Sequence, residues 1–342
     1  MARSGASAHR EANAATPLTA HVFAQLCDGR FHSGEQLAQV LGVSRSAIWK
    51  AAGTLRELGA TLHAVRNRGY RLASASDALD AEKIRERLAP EVRDHVRSVE
   101  ATWSTASTNS VLLGRANPPS ATSEVFVAEY QTAGRGRRGR TWLASPGGAI
   151  CLSLSWTFRE VPPDLGALSL VIGVCALRAL RELGVAGAGL KWPNDLLHGE
   201  RKLGGVLIEL RAESAGPACV VIGIGLNMVL GAALLEKISE TGMAATDLRS
   251  AGLGEASRNS VAAALVSACL RGLRAFEREG LTPFIEEWRT ADALRGRPVD
   301  VTAGDGVAHG LARGVDVHGA LLVETPQGVR RFISGDVTVR PL

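Results

Sequence analysis

The chain is poor in cysteine, with 5 in 342 residues, and the set (Cys27, Cys151, Cys175, Cys219, Cys269) is odd in number, scattered and without a C-x-x-C pair. That pattern excludes a disulfide framework and a zinc site, and it points to a reducing compartment. Long apolar runs are also missing. Residues 165–177 are uncharged but shorter than the roughly 20 residues a membrane span needs. Residues 214–235 are long enough but carry Pro217, Asn227, Gly216, Gly223, Gly225 and Gly231, and read as strand and loops. Residues 1–15 hold Ala, Ser and Arg without the apolar centre of a secretory signal, and are expected to be a disordered tail of a cytoplasmic protein with no membrane partner. A repeating βαβ alternation is absent, so α+β is expected rather than a doubly wound sheet.

What is present is globular composition: 46% hydrophobic and 21% charged residues, with mean hydropathy +0.07. This excludes a disordered, collagenous or coiled-coil chain, and the length allows two or three domains. The net charge of +5 is unevenly spread. Residues 1–76 hold nine Lys/Arg against four Asp/Glu, and residues 77–342 hold thirty of each. A small module that meets a polyanion, followed by a neutral body, is one reading; a solvated basic surface is the other.

Within residues 16–76 the pattern is three short helices and a hairpin. A first helix is expected over 18–27. Ser33-Gly34-Glu35-Gln36 fits a capping box for a second, which Gly42 ends. Ser44 can cap a third, in which Ile48, Ala52, Leu55 and Leu58 share a face until Gly59. Residues 61–72 read as a hairpin around Arg66-Asn67-Arg68-Gly69. Ser44, Arg45, Ser46, Trp49 and Lys50 start and flank the third helix, and Arg66 and Arg68 sit at the hairpin tip. Such a winged helix can lay its helix in a major groove and its wing on phosphates; protein contact is the alternative.

A polar linker at 74–79 leads into a mixed α/β body over 80–293. Strands are expected at 124–130, 149–158, 203–210 and 218–223, and helices at 80–88, 165–183, 259–279 and 283–292. Glycine-punctuated short strands over 294–342 read as a small all-β barrel.

The strongest local signal is Gly134-Arg135-Gly136-Arg137-Arg138-Gly139-Arg140. It matches G-x-G-x-x-G, yet the following Thr-Trp-Leu-Ala-Ser-Pro-Gly-Gly opens no helix, so the dinucleotide reading fails. Glycines let backbone approach an anion and arginines offer forked donors, so the loop reads as a lid that orders over an anionic small molecule; nucleic-acid contact and a solvated charge run are the alternatives. Lys191-Trp192-Pro193-Asn194-Asp195 makes a turn after a strand, and Arg201-Lys202 opens the next strand with a cation. Gly223-Ile224-Gly225-Leu226-Asn227 reads as a strand end. Ser107-Thr108-Asn109 could bind a ureido group or cap a helix over 110–115.

Taken in order, S-T-N, Q-T-A-G-R-G-R-R-G-R-x-W, K-W-P-N-D, R-K-L-G-G and G-I-G-L-N, behind a winged helix and ahead of a β tail, resemble the biotin protein ligases, in their bifunctional bacterial form that also represses biotin synthesis genes. The resemblance spans about residues 18–342. Ala106, where many members carry an acidic residue, is its one visible departure. It implies a catalytic domain related to class II aminoacyl-tRNA synthetases and an SH3-like C-terminal barrel. It also implies biotin-[acetyl-CoA-carboxylase] ligase activity, with biotin and ATP as substrates, Mg2+ carried on the nucleotide without metal-ligating residues, and transfer to a biotin carboxyl carrier protein. Catalytic roles would fall to Lys202, Arg137 and Asp195. Biotin would be held by Ser107, Thr108, Asn109, Gln131, Arg135, Gly136, Arg137 and Lys202, and ATP by Arg137, Arg140, Trp142, Lys202 and Asn227. A homodimer formed with bound adenylate would meet operator DNA. Rival readings are a ligase with an idle DNA-binding module, a lipoate or octanoate ligase, and a sensor that has lost turnover.

Overall fold

The structure is a computed structural model that describes residues 16–211, 218–242, 244–303, 306–333 and 337–341. The tail expected at 1–15 lies outside the described residues. The chain divides into two compact units, Met1–Ala78 and Leu79–Leu342.

In the first unit, α1 (Leu18–Leu26), α2 (Gly34–Leu41) and α3 (Arg45–Glu57) precede a hairpin of β1 (Leu62–Val65) and β2 (Gly69–Leu72). The capping box forms as read: Gln36 N donates to Ser33 Oγ and Ser33 N to Gln36 Oε1, each at 3.0 Å. Such a cap is worth about 1 kcal/mol. Ser44 Oγ accepts from Ala47 N at 3.2 Å and starts α3. Ile48, Ala51, Ala52 and Leu55 form the buried stripe of α3, against Val22, Phe23 and Leu26 of α1. Gly69 turns the hairpin at φ +99°, where a side chain would be strained.

The second unit begins with α4 (Ala81–Glu86), then β3 (Val96–Thr105), α5 (Thr108–Leu113), β4 (Ser123–Gln131), β5 (Ala149–Thr157), α6 (Leu168–Glu182), β6 (Ala188–Lys191) and β7 (Asp195–His198). It continues through β8 (Arg201–Arg211), β9 (Cys219–Asn227), α7 (Ala232–Ser239), α8 (Arg258–Glu279) and α9 (Ile285–Ala291). Seven strands form one sheet in the order β3-β4-β5-β9-β8-β7-β6, parallel only between β3 and β4. The α+β expectation therefore holds.

Alternation along β5 and β9 sorts the two faces. Ile150, Leu152, Leu154 and Trp156 of β5, with Val220, Ile222, Ile224 and Leu226 of β9, pack into the core under α6 and α8. Cys151, Ser153, Gly223 and Gly225 point the other way, as the period of two requires. On that other face α5 packs Leu112 against Phe126 and Val221.

One ion pair lies inside this core. Arg258 of α8 approaches Glu129 of β4 at 2.7 Å, with 2% and 5% of the two side chains exposed. Glu129 also accepts from Leu79 N at 2.6 Å. Removing one member of such a buried pair costs about 3–5 kcal/mol, because the other charge is left unpaired.

The last strands, β10 (Pro298–Ala303), β11 (Gly306–Val315), β12 (Leu321–Thr325), β13 (Gly328–Phe332) and β14 (Val337–Pro341), form an antiparallel sheet in the order β13-β12-β11-β10-β14. Trp192 Nε1 donates to Gly319 O at 3.1 Å and ties this sheet to the turn between β6 and β7.

Several expectations change. The end of the stretch read as strand and loops is helical, since α7 starts at Ala232; its apolar Leu234 is buried against the body. The helix expected over 165–183 is a 3-10 turn at Leu165–Ala167 followed by α6. The strand expected at 218–223 runs on to Asn227, so G-I-G-L-N is the C-terminal end of β9, as read, and is paired with β5 and β8 along both sides as far as Asn227 and Leu226.

Candidate functional site

The sheet face opposite α6 and α8 carries a pocket floored by β5, β8 and β9. Every residue that the motifs nominated for catalysis or for the small ligands lines it: Ser107, Thr108 and Asn109 from α5 and the residue before it, and Gln131 from the end of β4. Arg135, Gly136, Arg137, Arg140 and Trp142 of the arginine-glycine loop, Asp195 of β7, Lys202 of β8 and Asn227 of β9 complete it. The 120 positions between Ser107 and Asn227 thus converge on one cavity.

Glycines make the depression. A Cβ at Gly223 would lie 2.4 Å from Asn109 Oδ1, and one at Gly225 would lie 2.6–2.9 Å from three ring atoms of Trp142. Contacts that close do not occur, so only glycine lets α5 and the loop come down on the sheet. Cys151 lies in the same floor, and burial pushes its thiol up to about 12. It is a small apolar filler, not a nucleophile.

Residues 134–142 fold on themselves above this floor. Gly136 N donates to Arg140 O at 2.7 Å, Trp142 N donates to Gly134 O at 2.9 Å, and Arg135 bridges Thr141. Arg138 takes a left-handed conformation at φ 57°, ψ 35°, which for a non-glycine residue stores about 1 kcal/mol. Arg137 Nη1 reaches Asn194 Oδ1 at 3.5 Å across the pocket. Arg140 is exposed at the rim.

The opposite wall supplies a charge pair. Lys202 Nζ stands 2.6 Å from Asp195 Oδ1, and both side chains are less than one-fifth exposed. The ammonium is brought there because Arg201-Lys202 opens β8 beside β7, as the sequence suggested. The Asp195 carboxylate faces Lys202. Asn227 is buried, and its amide nitrogen donates to Thr246 O at 2.9 Å and Lys202 O at 3.4 Å. It therefore also braces the start of β8.

The S-T-N segment does not cap by side chain. Ser107 occupies the position before α5, but its hydroxyl makes no cap bond. Instead Thr108 N and Oγ1 both lie within bonding distance of Gln131 Oε1, at 2.7 and 3.1 Å. Two residues outside the motifs, Ser153 and Glu209, hold these groups, and Asn194, inside K-W-P-N-D but given no role by the sequence, holds Arg137. Ser153 Oγ sits 2.7 Å from Thr108 Oγ1 and 2.5 Å from Asn109 Oδ1. Glu209 accepts from Asn109 Nδ2 at 2.8 Å and from Arg135 Nη2 at 3.2 Å. Asn194 donates to Val206 O at 2.7 Å while facing Arg137. The signal for Ser153 was polar residues at every second position of an apolar strand; for Glu209 it was one acid inside V-L-I-E-L. Among the described residues no group of three or more His, Cys, Asp or Glu could hold a metal ion.

The other nominated residues lie in the first unit. Ser44, Arg45, Ser46, Trp49 and Lys50 are exposed on α3, Trp49 at 68%. Arg66 and Arg68 are exposed on the hairpin, with the Arg68 guanidinium 4.3 Å from the Phe31 ring centre.

Known proteins place this arrangement. Residues 103–227 match the Biotin/lipoate A/B protein ligase family, residues 20–71 an HTH domain, and residues 295–340 the Biotin protein ligase C terminal domain. The bifunctional ligase/repressor BirA of Salmonella typhimurium is 38% identical over 324 residues, covering 95% of this chain and 97% of that protein. The BirA of Escherichia coli is also 38% identical, over 93% of this chain and 96% of its own length. A biotin protein ligase from Aquifex aeolicus, solved in complex with biotin and ATP, matches with a TM-score of 0.61 and 27% identity, covering 72% of this chain and all of that one. The chain belongs to the biotin protein ligase family, in its two-function form with an N-terminal helix-turn-helix.

Proposed function

We propose that the chain joins biotin to ATP, forming biotinyl-5′-AMP, transfers biotin to a lysine of a biotin carboxyl carrier protein in the cytoplasm, and acts as an adenylate-dependent repressor of biotin genes. The observation that carries the ligase reading is the shared pocket: Lys202, paired with Asp195 at 2.6 Å, faces the arginine-glycine loop across a floor opened by Gly223 and Gly225.

A carboxylate does not acylate an amine at neutral pH until it gains a leaving group. In the first step a biotin carboxylate oxygen bonds to the α-phosphorus of ATP, and the bond to the β-phosphate oxygen breaks to release pyrophosphate. In the second, a carrier lysine nitrogen bonds to the acyl carbon, AMP leaves, and the amine loses a proton. Charge gathers on phosphate oxygens in both steps, so preplaced cations provide the main stabilisation.

Lys202 and Arg137 are assigned to the carboxylate and α-phosphate. Ser107, Thr108, Asn109, Gln131, Arg135 and Gly136 are assigned to biotin. Trp142, Arg140 and Asn227 are assigned to the nucleotide side. Asp195, held against Lys202, is assigned to orienting or deprotonating the incoming amine. Magnesium is assigned to the ATP phosphates, with no residue of this chain named as its ligand. The loop excludes water from a hydrolysable mixed anhydride.

For repression, the basic α3 and wing are assigned to operator DNA, presented twice by an adenylate-bound homodimer. Incubation with biotin, ATP, magnesium and an apo carrier domain, read by intact mass, tests the ligase. Biotinylation of the carrier is expected; pyrophosphate exchange stimulated by lipoate and not by biotin would overturn it. A gel shift with and without adenylate tests the repressor.

A further inference from the structure

Glu209 stands outside the pocket wall, on β8, yet it touches two groups that line the pocket. Asn109 Nδ2 donates to its Oε2 at 2.8 Å, and Arg135 Nη2 reaches the same carboxylate at 3.2 Å while also donating to Ser110 Oγ at 3.0 Å. Neither contact belongs to the five motifs. The carboxylate joins the helix that carries the S-T-N residues to the loop that covers them.

Proton counting fixes what the Asn109 contact does. Asn109 Oδ1 can only accept, so the 2.5 Å contact with Ser153 Oγ takes the single Ser153 hydroxyl proton. Ser153 then has no second proton, so at 2.7 Å it can only accept from Thr108 Oγ1, whose one proton is shared with Gln131 Oε1 at 3.1 Å. Asn109 Nδ2 must point the other way, and there an ionised carboxylate receives it, a charge-assisted bond stronger than a neutral one. The chain Ser153, Asn109, Glu209 is therefore ordered in one direction, and the carboxamide cannot flip. Its oxygen is held toward Gly223 and the pocket floor.

The Arg135 contact behaves differently. The guanidinium is 44% exposed, and an exposed ion pair contributes little because water screens it. When a ligand covers the pocket and expels water, the same pair strengthens. The contact is thus weak when the pocket is empty and firm when it is filled.

We propose that Glu209 is a positioning residue that fixes the Asn109 carboxamide for recognition of the ligand head and latches Arg135 of the loop over a bound acyl adenylate. This rests on the ligase reading above.

Glu209→Gln and Glu209→Ala separate the two contacts. Glutamine keeps an acceptor for Asn109 and loses the charge that Arg135 needs; alanine loses both. The measurements are the KM for biotin in ATP–pyrophosphate exchange and the release rate of preformed biotinyl-5′-AMP from the full chain. In Glu209→Gln, release is expected to rise about tenfold with KM changed less than about twofold, and in Glu209→Ala both are expected to rise about tenfold. A purely structural role would move both variants together, and equal release rates in wild type and Glu209→Gln would refute the latch. Absence of biotin-dependent exchange in the wild type would instead refute the ligase reading.

Discussion

Adding one methyl group to the pocket floor at either of two positions should have two different outcomes. In Gly223→Ala the new Cβ would stand 2.4 Å from Asn109 Oδ1, 3.0 Å from its Cγ and 3.1 Å from its Nδ2. Asn109 cannot yield cheaply: it is 3% exposed, and its carboxamide is bonded to Ser153 at one end and Glu209 at the other. Relief requires a shift that stretches both bonds, each worth about 1 kcal/mol, or a comparable displacement of α5. The expected loss of stability is about 1–3 kcal/mol, in the range of overpacked cores. The same shift moves the Asn109 oxygen, so the KM for biotin should rise at least about tenfold.

In Gly225→Ala the clash is with the Trp142 ring, at 2.6–2.9 Å. That ring belongs to a surface loop and can swing outward, so stability should fall by less than about 1 kcal/mol. The nucleotide side should suffer instead, with faster loss of adenylate. Denaturant unfolding gives the first quantity, and pyrophosphate exchange with an adenylate release assay gives the second. A Gly223→Ala chain that unfolds with the wild type and keeps its KM for biotin would refute the packing argument.

Further outcomes follow from other contacts. Lys202→Ala removes the cation facing Asp195 and should slow adenylate formation by about 10²–10³-fold, measured in single-turnover kinetics. Arg137→Gly should form adenylate but let it escape, seen as indiscriminate labelling of bystander proteins and poor retention on filters. Burial raises the Asp292 carboxyl from 3.8 to about 6. Between those values the folded chain binds more protons than the unfolded one, so this group lowers stability by about 2 kcal/mol as pH rises from 4 to 6. Asp292→Asn should flatten that slope in denaturant titrations and stabilise the chain above pH 6. DNA binding should weaken with salt by about 0.9 log units per log unit for each phosphate neutralised, and Arg45→Ala should lower that slope by about one.

How much of this was legible in the sequence depends on what kind of signal each part leaves. Local chemistry was readable: Ser33 with Gln36 and Ser44 form their caps, because a cap is decided within four residues. The turn at Trp192-Pro193-Asn194 and the cation opening β8 were also readable, since proline and the basic pair mark them. The strand β3 was not, because V-R-S-V-E-A-T-W-S-T lies half-buried at the sheet edge and lacks an apolar alternation. Strand β7 is four residues, too short to leave a period, and β6, equally short, is legible only through the turn that follows it. The motif residues converged, yet the groups that hold them did not announce themselves. Ser153 lies 44 positions from Asn109 and Glu209 lies 100, so only the register of β5, β9 and β8 brings them together. G-I-G-L-N is the strand end that the sequence suggests, but that its two glycines admit Asn109 and Trp142 shows only in the packing.

The most direct test is a crystal structure of the chain soaked with biotinyl-5′-AMP. The account predicts the acyl head over Gly223 beneath Asn109, the phosphate between Lys202 and Arg137, and residues 134–142 closed above it. A compound that bound elsewhere, or that lay in this cavity open to solvent with Arg137 and Lys202 away from its phosphate, would contradict it.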